Sequence, residues 1–264
     1  MTGLLAALLV VAASQAGPQA AAPPPDSPFG ILDNSFLVEE AFNQEKGVVQ
    51  NIFGATYSDL AGWNASFTQE WPVPGVRHQL SYTVPFSIVG GAAGWGDLLI
   101  NYRFQVFEEG PKRPAFAPRL SFIVPSSPDR RSLHSRGAGW QVNLPFSKRV
   151  GRLYFHWNAG GTILRAEVTS TQAGSWIGAP LVAGSSIWAV KPMFQVMLES
   201  VVQSTLVDVG DRETMVTISP GVRGGWNFGE KQFVIGFAVP VTRGANQNQV
   251  AGLAYVSYEL PFRK

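Results

Sequence analysis

The chain has no cysteine, few charges and no long apolar run beyond its first residues, and each absence removes a class of protein. Without cysteine there is no disulfide framework, no thiolate metal site and no cysteine nucleophile. Charged residues make up 14% of the 264, against roughly 25% in a soluble globular domain, so much of this surface meets something other than water. A membrane-spanning helix needs about 20 consecutive apolar residues, and none follows the N-terminus. The formal net charge is only +2 and the basic residues are scattered, which leaves no footprint for nucleic acid. His78, His134 and His156 are too far apart for a local metal site, and no motif for a cofactor or a catalytic group appears.

What is present is apolar and aromatic: 45% hydrophobic residues and 12% aromatics. Leu4 to Ala13 has the length of a signal-peptide core, and Ser14-Gln15-Ala16 places small residues at the −3 and −1 positions. Residues 1–16 therefore read as a signal peptide cleaved after Ala16. Residues 17–33, with the alanine and proline tract Ala20 to Pro25, read as a disordered spacer with nothing to pack a core. Residues 34–47 form a short amphipathic stretch, and 48–264 carry a period-two alternation.

The alternation puts every second side chain on one face of a strand. Leu98, Ile100, Tyr102, Phe104 and Val106 share one face, Asn101, Arg103 and Gln105 the other. Trp140, Val142, Leu144 and Phe146 oppose Gln141 and Asn143, and the last strand repeats the division in Ala254, Val256, Tyr258, Leu260 and Phe262. Twelve segments follow, near 48–57, 62–71, 76–87, 95–107, 114–125, 136–147, 151–164, 176–190, 193–202, 213–227, 231–242 and 250–262. A sandwich would not need every strand apolar on one face and would carry more surface charge. The expected fold is all-β: a membrane-spanning antiparallel up-and-down β-barrel of about twelve strands, with a plug-like N-terminal segment.

Outer-membrane barrels have short periplasmic turns and longer extracellular loops. Tight connections are expected at 71–75, 147–151, 191–192 and 228–231, long ones at 88–94, 126–135, 165–175, 203–212 and 243–249, with 108–113 the exception. Both termini then lie in the periplasm. Trp71, Phe86, Phe107, Phe146, Trp226 and Phe262 sit at strand ends, where aromatic girdles mark the two interfaces.

The runs NSFLVEEAFNQEKGVVQNI at 34–52, SFTQEWPVPGVRHQLSYTVPF at 66–86, GWGDLLINYRFQV at 94–106 and PRLSFIVPSS at 118–127 resemble a family of outer-membrane transporters labelled for the meta-cleavage pathway of phenol degradation. The resemblance covers the chain from about Asn34 to its end. It implies a bacterial outer-membrane location and uptake of hydrophobic or aromatic small molecules, and its motifs carry no catalytic chemistry. Outer-membrane barrels commonly end in an aromatic residue read by the barrel-assembly machinery; here Arg263 and Lys264 follow Phe262.

Candidate functional residues are those facing the lumen. On a hairpin centred near Pro111, Arg103 and Arg119 fall opposite each other, and directly opposed like charges need something between them. Glu39, Glu40 and Glu45 in the N-terminal stretch are the expected partners. Arg77 is expected to pair with Glu70 across the turn at 71–75, and Arg223 with Glu199 on adjacent strands. His156 faces the lumen, His134 a loop and His78 lipid. Twelve-stranded outer-membrane phospholipases need a lipid-facing serine and histidine, and no serine shares the face of His78. The expectation is a channel or facilitated transporter, with no enzymatic activity, cofactor or metal, and with outer-membrane lipid and a small-molecule solute as partners. The competing expectation is a structural or surface-interaction barrel with a closed lumen.

Overall fold

The computed structural model describes residues 30–31, 33–125, 138–166, 175–207, 212–245 and 248–262. The expected signal peptide, residues 17–29 of the spacer, His134 and the connection 126–135 lie outside them.

The strands in chain order are β1 (Val48–Ser58), β2 (Gly62–Trp71), β3 (His78–Val89), β4 (Ala92–Trp95), β5 (Leu98–Phe104), β6 (Ala115–Phe116), β7 (Arg119–Val124), β8 (Gly139–Val150), β9 (Leu153–Ala166), β10 (Ser175–Lys191), β11 (Phe194–Val207), β12 (Arg212–Phe228), β13 (Lys231–Ala238), β14 (Val241–Gly244), β15 (Asn248–Val250) and β16 (Gly252–Pro261). All pairings are antiparallel and belong to one sheet. β1 pairs with β16, and β11 with β12, so no edge remains and twelve strands close into a barrel. Four of the twelve consist of two segments each, which accounts for the sixteen labels.

The interruptions have local causes. β4 and β5 are parted at Gly96, whose N–H turns to Pro85 O at 2.8 Å. Pro118 and Pro240 stand between β6 and β7 and between β13 and β14, and a proline has no N–H for the ladder. Ala251, between β15 and β16, gives its N–H to Pro240 O at 2.9 Å, so these last two breaks face each other.

Three expected connections differ, one of them 203–212, where β11 continues to Val207 and β12 begins at Arg212. The stretch 88–94 is not a long loop: β3 runs to Val89, and Gly90 and Gly91, both at positive φ, turn the chain straight into β4. Positive φ is a conformation open to glycine at little cost, which permits the tight reversal. At 147–151 the turn is later, because β8 continues to Val150 and only Gly151 and Arg152 lie outside strands.

Packing is inverted relative to a soluble protein. The outward face carries Trp63, Trp140, Ile163, Trp188, Leu198 and Phe237, all more than half exposed, whereas Glu70, Ser121, Gln195, Glu199 and Ser219 are fully buried. In hydrocarbon every backbone polar group needs an internal partner, and a closed antiparallel ladder supplies it.

Residues 33–47 run inside the barrel. The chain enters where Gly30 N–H donates to Pro192 O (3.0 Å) and Gln232 Nε2 donates to Gly30 O (2.7 Å), beside the tight turns after β10 and β12. It leaves at the same rim, where Val48 N–H meets Glu45 O (3.2 Å) and Phe262 N–H meets Gly47 O (2.7 Å). Between these points Asp33, Asn34, Phe36, Val38, Glu39 and Ala41 are buried.

Candidate functional site in the barrel lumen

The lumen wall has two chemically distinct sides, and the N-terminal segment touches both. On the polar side β5, β7 and β8 run next to one another, with Arg103 directly opposite Arg119 and Arg119 directly opposite Asn143. Arg119 Nε donates to Glu39 Oε1 at 2.5 Å, a buried ion pair, and Asn143 Nδ2 donates to Glu39 Oε2. The rest of the Arg119 guanidinium donates to Asn101 Oδ1 (3.2 Å), Gln141 Oε1 (2.9 Å) and Ser121 Oγ. Arg103 donates to main-chain oxygens instead: Glu40 O at 2.8 Å and Phe42 O at 2.7 Å, with Asn43 Oδ1 at 3.2 Å.

The segment forms no strand, so its backbone groups need other partners. Wall side chains supply them. Glu199 Oε1 accepts from the N–H of Leu37 (2.8 Å) and of Val38 (3.1 Å). Asn158 both accepts from Glu39 N–H and donates to Glu39 O, each at 2.8 Å. Gln79 accepts from Gln44 N–H (2.7 Å), while Gln105 donates to Ala41 O (2.8 Å) and Gln195 to Ile31 O (2.7 Å). Arg223 donates to Asn34 O, and Asp33 Oδ1 accepts from Tyr255 Oη at 2.7 Å and Gln50 Nε2 at 3.1 Å.

The other side is apolar. Ile31 and Phe36 pack with Ile187, Met197, Val234, Leu253 and Tyr255, and the Phe36 and Tyr255 ring centroids are 5.1 Å apart. Glycines make the room. A Cβ at Gly236 would come within 2.3 Å of Phe36 Cζ, one at Gly221 within 2.9 Å of Phe36 Cε2, and one at Gly225 within 3.1 Å of Ile31 Cδ1.

On the far side of the segment lies a small recess of about 30 Å³, room for a water or two. Leu37 of the segment lines it together with Arg119, Gln141, Thr162, Leu181 and Gln203 of the wall.

Two expected ion pairs do not form. Arg77, in the turn before β3, directs its guanidinium away from the lumen to Gln105 O (3.1 Å) and the ring of Phe104, while Glu70 accepts from Gln79 Nε2 at 3.1 Å. In the β11–β12 register Glu199 lies opposite Ser219, and Arg223 opposite Gln195, to which it donates at 2.7 Å. Each of the two reaches the segment rather than the other. Glu45 is half-buried near the rim, away from the arginines, and desolvation raises its pKa above the ordinary carboxylate value.

His156 is buried in the lumen, with Nδ1 2.7 Å from Ser147 Oγ and Nε2 3.9 Å from Glu40 Oε2. A serine, a histidine and a carboxylate in line resemble a nucleophile and its base. Here, however, Ser147 Oγ is fully buried and accepts from Ala41 N–H at 2.7 Å, so no substrate carbonyl reaches it. His78, at the outer face, is 2.7 Å from Tyr102 Oη. Among the described residues no cluster of His, Asp and Glu could hold a metal.

Asp33, Asn143, Asn158, Gln105 and the socket glycines are site residues that sequence reasoning did not single out. Parity placed several of them on the lumen face, but a neutral amide that binds backbone looks like any other polar wall residue until its partner is known.

These faces and this closure define a transmembrane β-barrel of outer-membrane type. Among solved structures the chain is similar to an outer membrane channel from Pseudomonas putida F1, with a TM-score of 0.58 and 10% identity over 81% of this chain and 94% of that chain. OmpT with loop L8 deleted, an outer membrane protein of Vibrio cholerae, aligns with a TM-score of 0.42 and 8% identity over 81% of this chain and 98% of its own. The likeness is one of fold. No family model matches the chain, and no curated protein does.

Proposed function

We propose that this protein is an outer-membrane channel or facilitated transporter for small hydrophobic or aromatic molecules, that it belongs to the transporter family its sequence resembles, and that the segment 30–47 is its plug. On this reading residues 1–16 are removed on export, the barrel-assembly machinery inserts the strands into outer-membrane lipid, and both termini face the periplasm. The observation that carries the reading is the way the lumen is filled. In small barrels wall side chains pack against each other across the lumen; here they end on a separate strip of chain, with Glu39 on Arg119 and the Glu40 and Phe42 carbonyls on Arg103. Taking that strip away leaves a lined passage rather than a collapsed core.

A closed scaffold is the second reading, and the depth of the Glu39–Arg119 pair favours it, since both side chains are almost fully buried. Conductance in planar bilayers separates the two. Deleting residues 17–47 raises conductance if the segment is a plug; a deleted barrel that folds and conducts like the full chain is a scaffold.

A further inference from the structure

We infer that the outer face of the barrel carries a binding site for one phospholipid with an anionic headgroup: its acyl chain lies in a groove floored by Gly224, and its phosphate meets Lys191 and Lys231 at the rim. The inference goes beyond transport and rests on the wall facing lipid with the chain termini on the periplasmic side.

The groove follows from strand register. Phe194, Gly224 and Ile235 are successive partners on β11, β12 and β13, so two large side chains flank a position that has none. Phe194 and Ile235 stand two strand spacings apart, about 10 Å. Val222 and Trp226, two residues to either side of Gly224 on β12, complete the frame, and the space at this groove is about 680 Å³, in the range of sites that hold small organic ligands. It opens toward the rim, because β11 begins at Phe194 whereas β12 runs past Gly224 to Phe228. Trp226 and Phe228 therefore have no partner on β11, and both are more than half exposed.

The rim supplies the charge. Lys191 is the strand partner of Phe194 and Lys231 that of Phe228, so a lysine stands on either side of the groove's mouth. Both are exposed, and among the described residues neither forms an ion pair, not even Lys231 with the adjacent Glu230. A flexible acyl chain reaches a floor set below its neighbours, and a headgroup phosphate gives both lysines a counter-charge. A second copy of the barrel fits less well, since a two-fold contact brings the same patch of each chain together, and with it lysine against lysine. The site also backs onto the N-terminal segment. On the inner face of the same strands Gly221 and Gly236 make the hollow that seats Phe36, and Arg223 and Gly225, on either side of Gly224, face Asn34 and Ile31.

The test is a lipid titration of the full chain in detergent, read by native mass spectrometry, with phosphatidylglycerol, phosphatidylcholine bearing the same acyl chains, and lipid A. The parent should retain one phosphatidylglycerol about 25-fold more tightly than phosphatidylcholine, roughly fivefold for each lysine, and Lys191→Gln with Lys231→Gln should erase that preference. Gly224→Leu should weaken both phospholipids about tenfold, the loss of one to two buried methylene groups. A Cβ at Gly224 meets nothing nearer than Met193 O at 3.6 Å, so this variant should keep its heat-modifiable migration. Equal affinity for the two phospholipids, or parental affinity in a folded Gly224→Leu, overturns the inference. So does tighter binding of lipid A than of phosphatidylglycerol, which places the groove in the other leaflet, or an equal loss of preference in Lys112→Gln, a lysine in the separate turn at 108–113. Conductance of the 17–47 deletion is read separately: no rise removes the channel and leaves this site standing, whereas a rise without phosphatidylglycerol preference in the parent removes the site alone.

Discussion

Arg103 and Arg119 stand directly opposite each other in the barrel wall, and a different part of the N-terminal segment satisfies each. Arg119 holds the Glu39 carboxylate, and Arg103 holds the carbonyls of Glu40 and Phe42. Opposed like charges weaken a strand pair, so the sheet here depends on its contents. Replacing both arginines by alanine should loosen the segment and raise conductance in the same direction as deleting it. Parental conductance in a correctly folded double variant would show that the anchors lie elsewhere.

The glycine hollow gives a second test on the opposite wall. Gly236→Ala places a methyl group 2.3 Å from the Phe36 ring and should drive that ring out, opening the lumen while the barrel stays folded. Adding Phe36→Ala should relieve the clash and leave the double variant no more open than Phe36→Ala alone. If Gly236→Ala conducts like the parent, the ring does not lock the segment.

The lipid face predicts a gradient with depth. Leu144, near the middle of β8, should cost about 2–4 kcal/mol as arginine, as at a bilayer midplane, whereas Phe155, three residues beyond the Gly151–Arg152 turn, should cost only about 0–1. Thr217→Arg, on the lumen face of β12 and only partly buried, is the lumen control and should be tolerated. Asn143 is unsuitable for that purpose because it holds Glu39. Urea titrations in lipid vesicles measure all three, and equal costs at Leu144 and Thr217 would contradict the assignment of faces.

Membrane fractionation tests location. The chain should be recovered in the outer membrane with heat-modifiable migration on gels, as a closed hydrogen-bonded barrel resists detergent. Recovery from the soluble periplasm would contradict it.

How much of this was legible in the sequence followed from what alternation determines. Parity gives the face of each residue, so Arg103, Arg119, Glu199 and Arg223 were placed inward, and twelve strands could be counted. A hairpin's centre also gives register, which is why the opposition of Arg103 and Arg119 could be derived from the chain around Pro111. The pairing of Glu199 with Arg223 failed because β11 runs on to Val207 and β12 begins at Arg212, which puts Glu199 opposite Ser219 and Arg223 opposite Gln195. Arg77 escaped for a different reason: it lies in a turn, where parity no longer applies. The socket glycines were illegible because the shape they make appears only once Phe36 sits in it.

The segment enters beside Pro192 and returns to β1 beside Phe262, both at one rim of the barrel. It is therefore a finger and not a thread: no part of it passes out through the opposite mouth. It can leave the lumen by simple retraction, with no free end pulled through the pore and no strand of the closed wall unzipped. The same geometry sets a limit, since the finger is tied to Val48 at the foot of β1 and cannot diffuse away. Whatever displaces it competes with a group held permanently at the mouth, at a local concentration fixed by the length of the tether rather than by the amount of protein in the membrane.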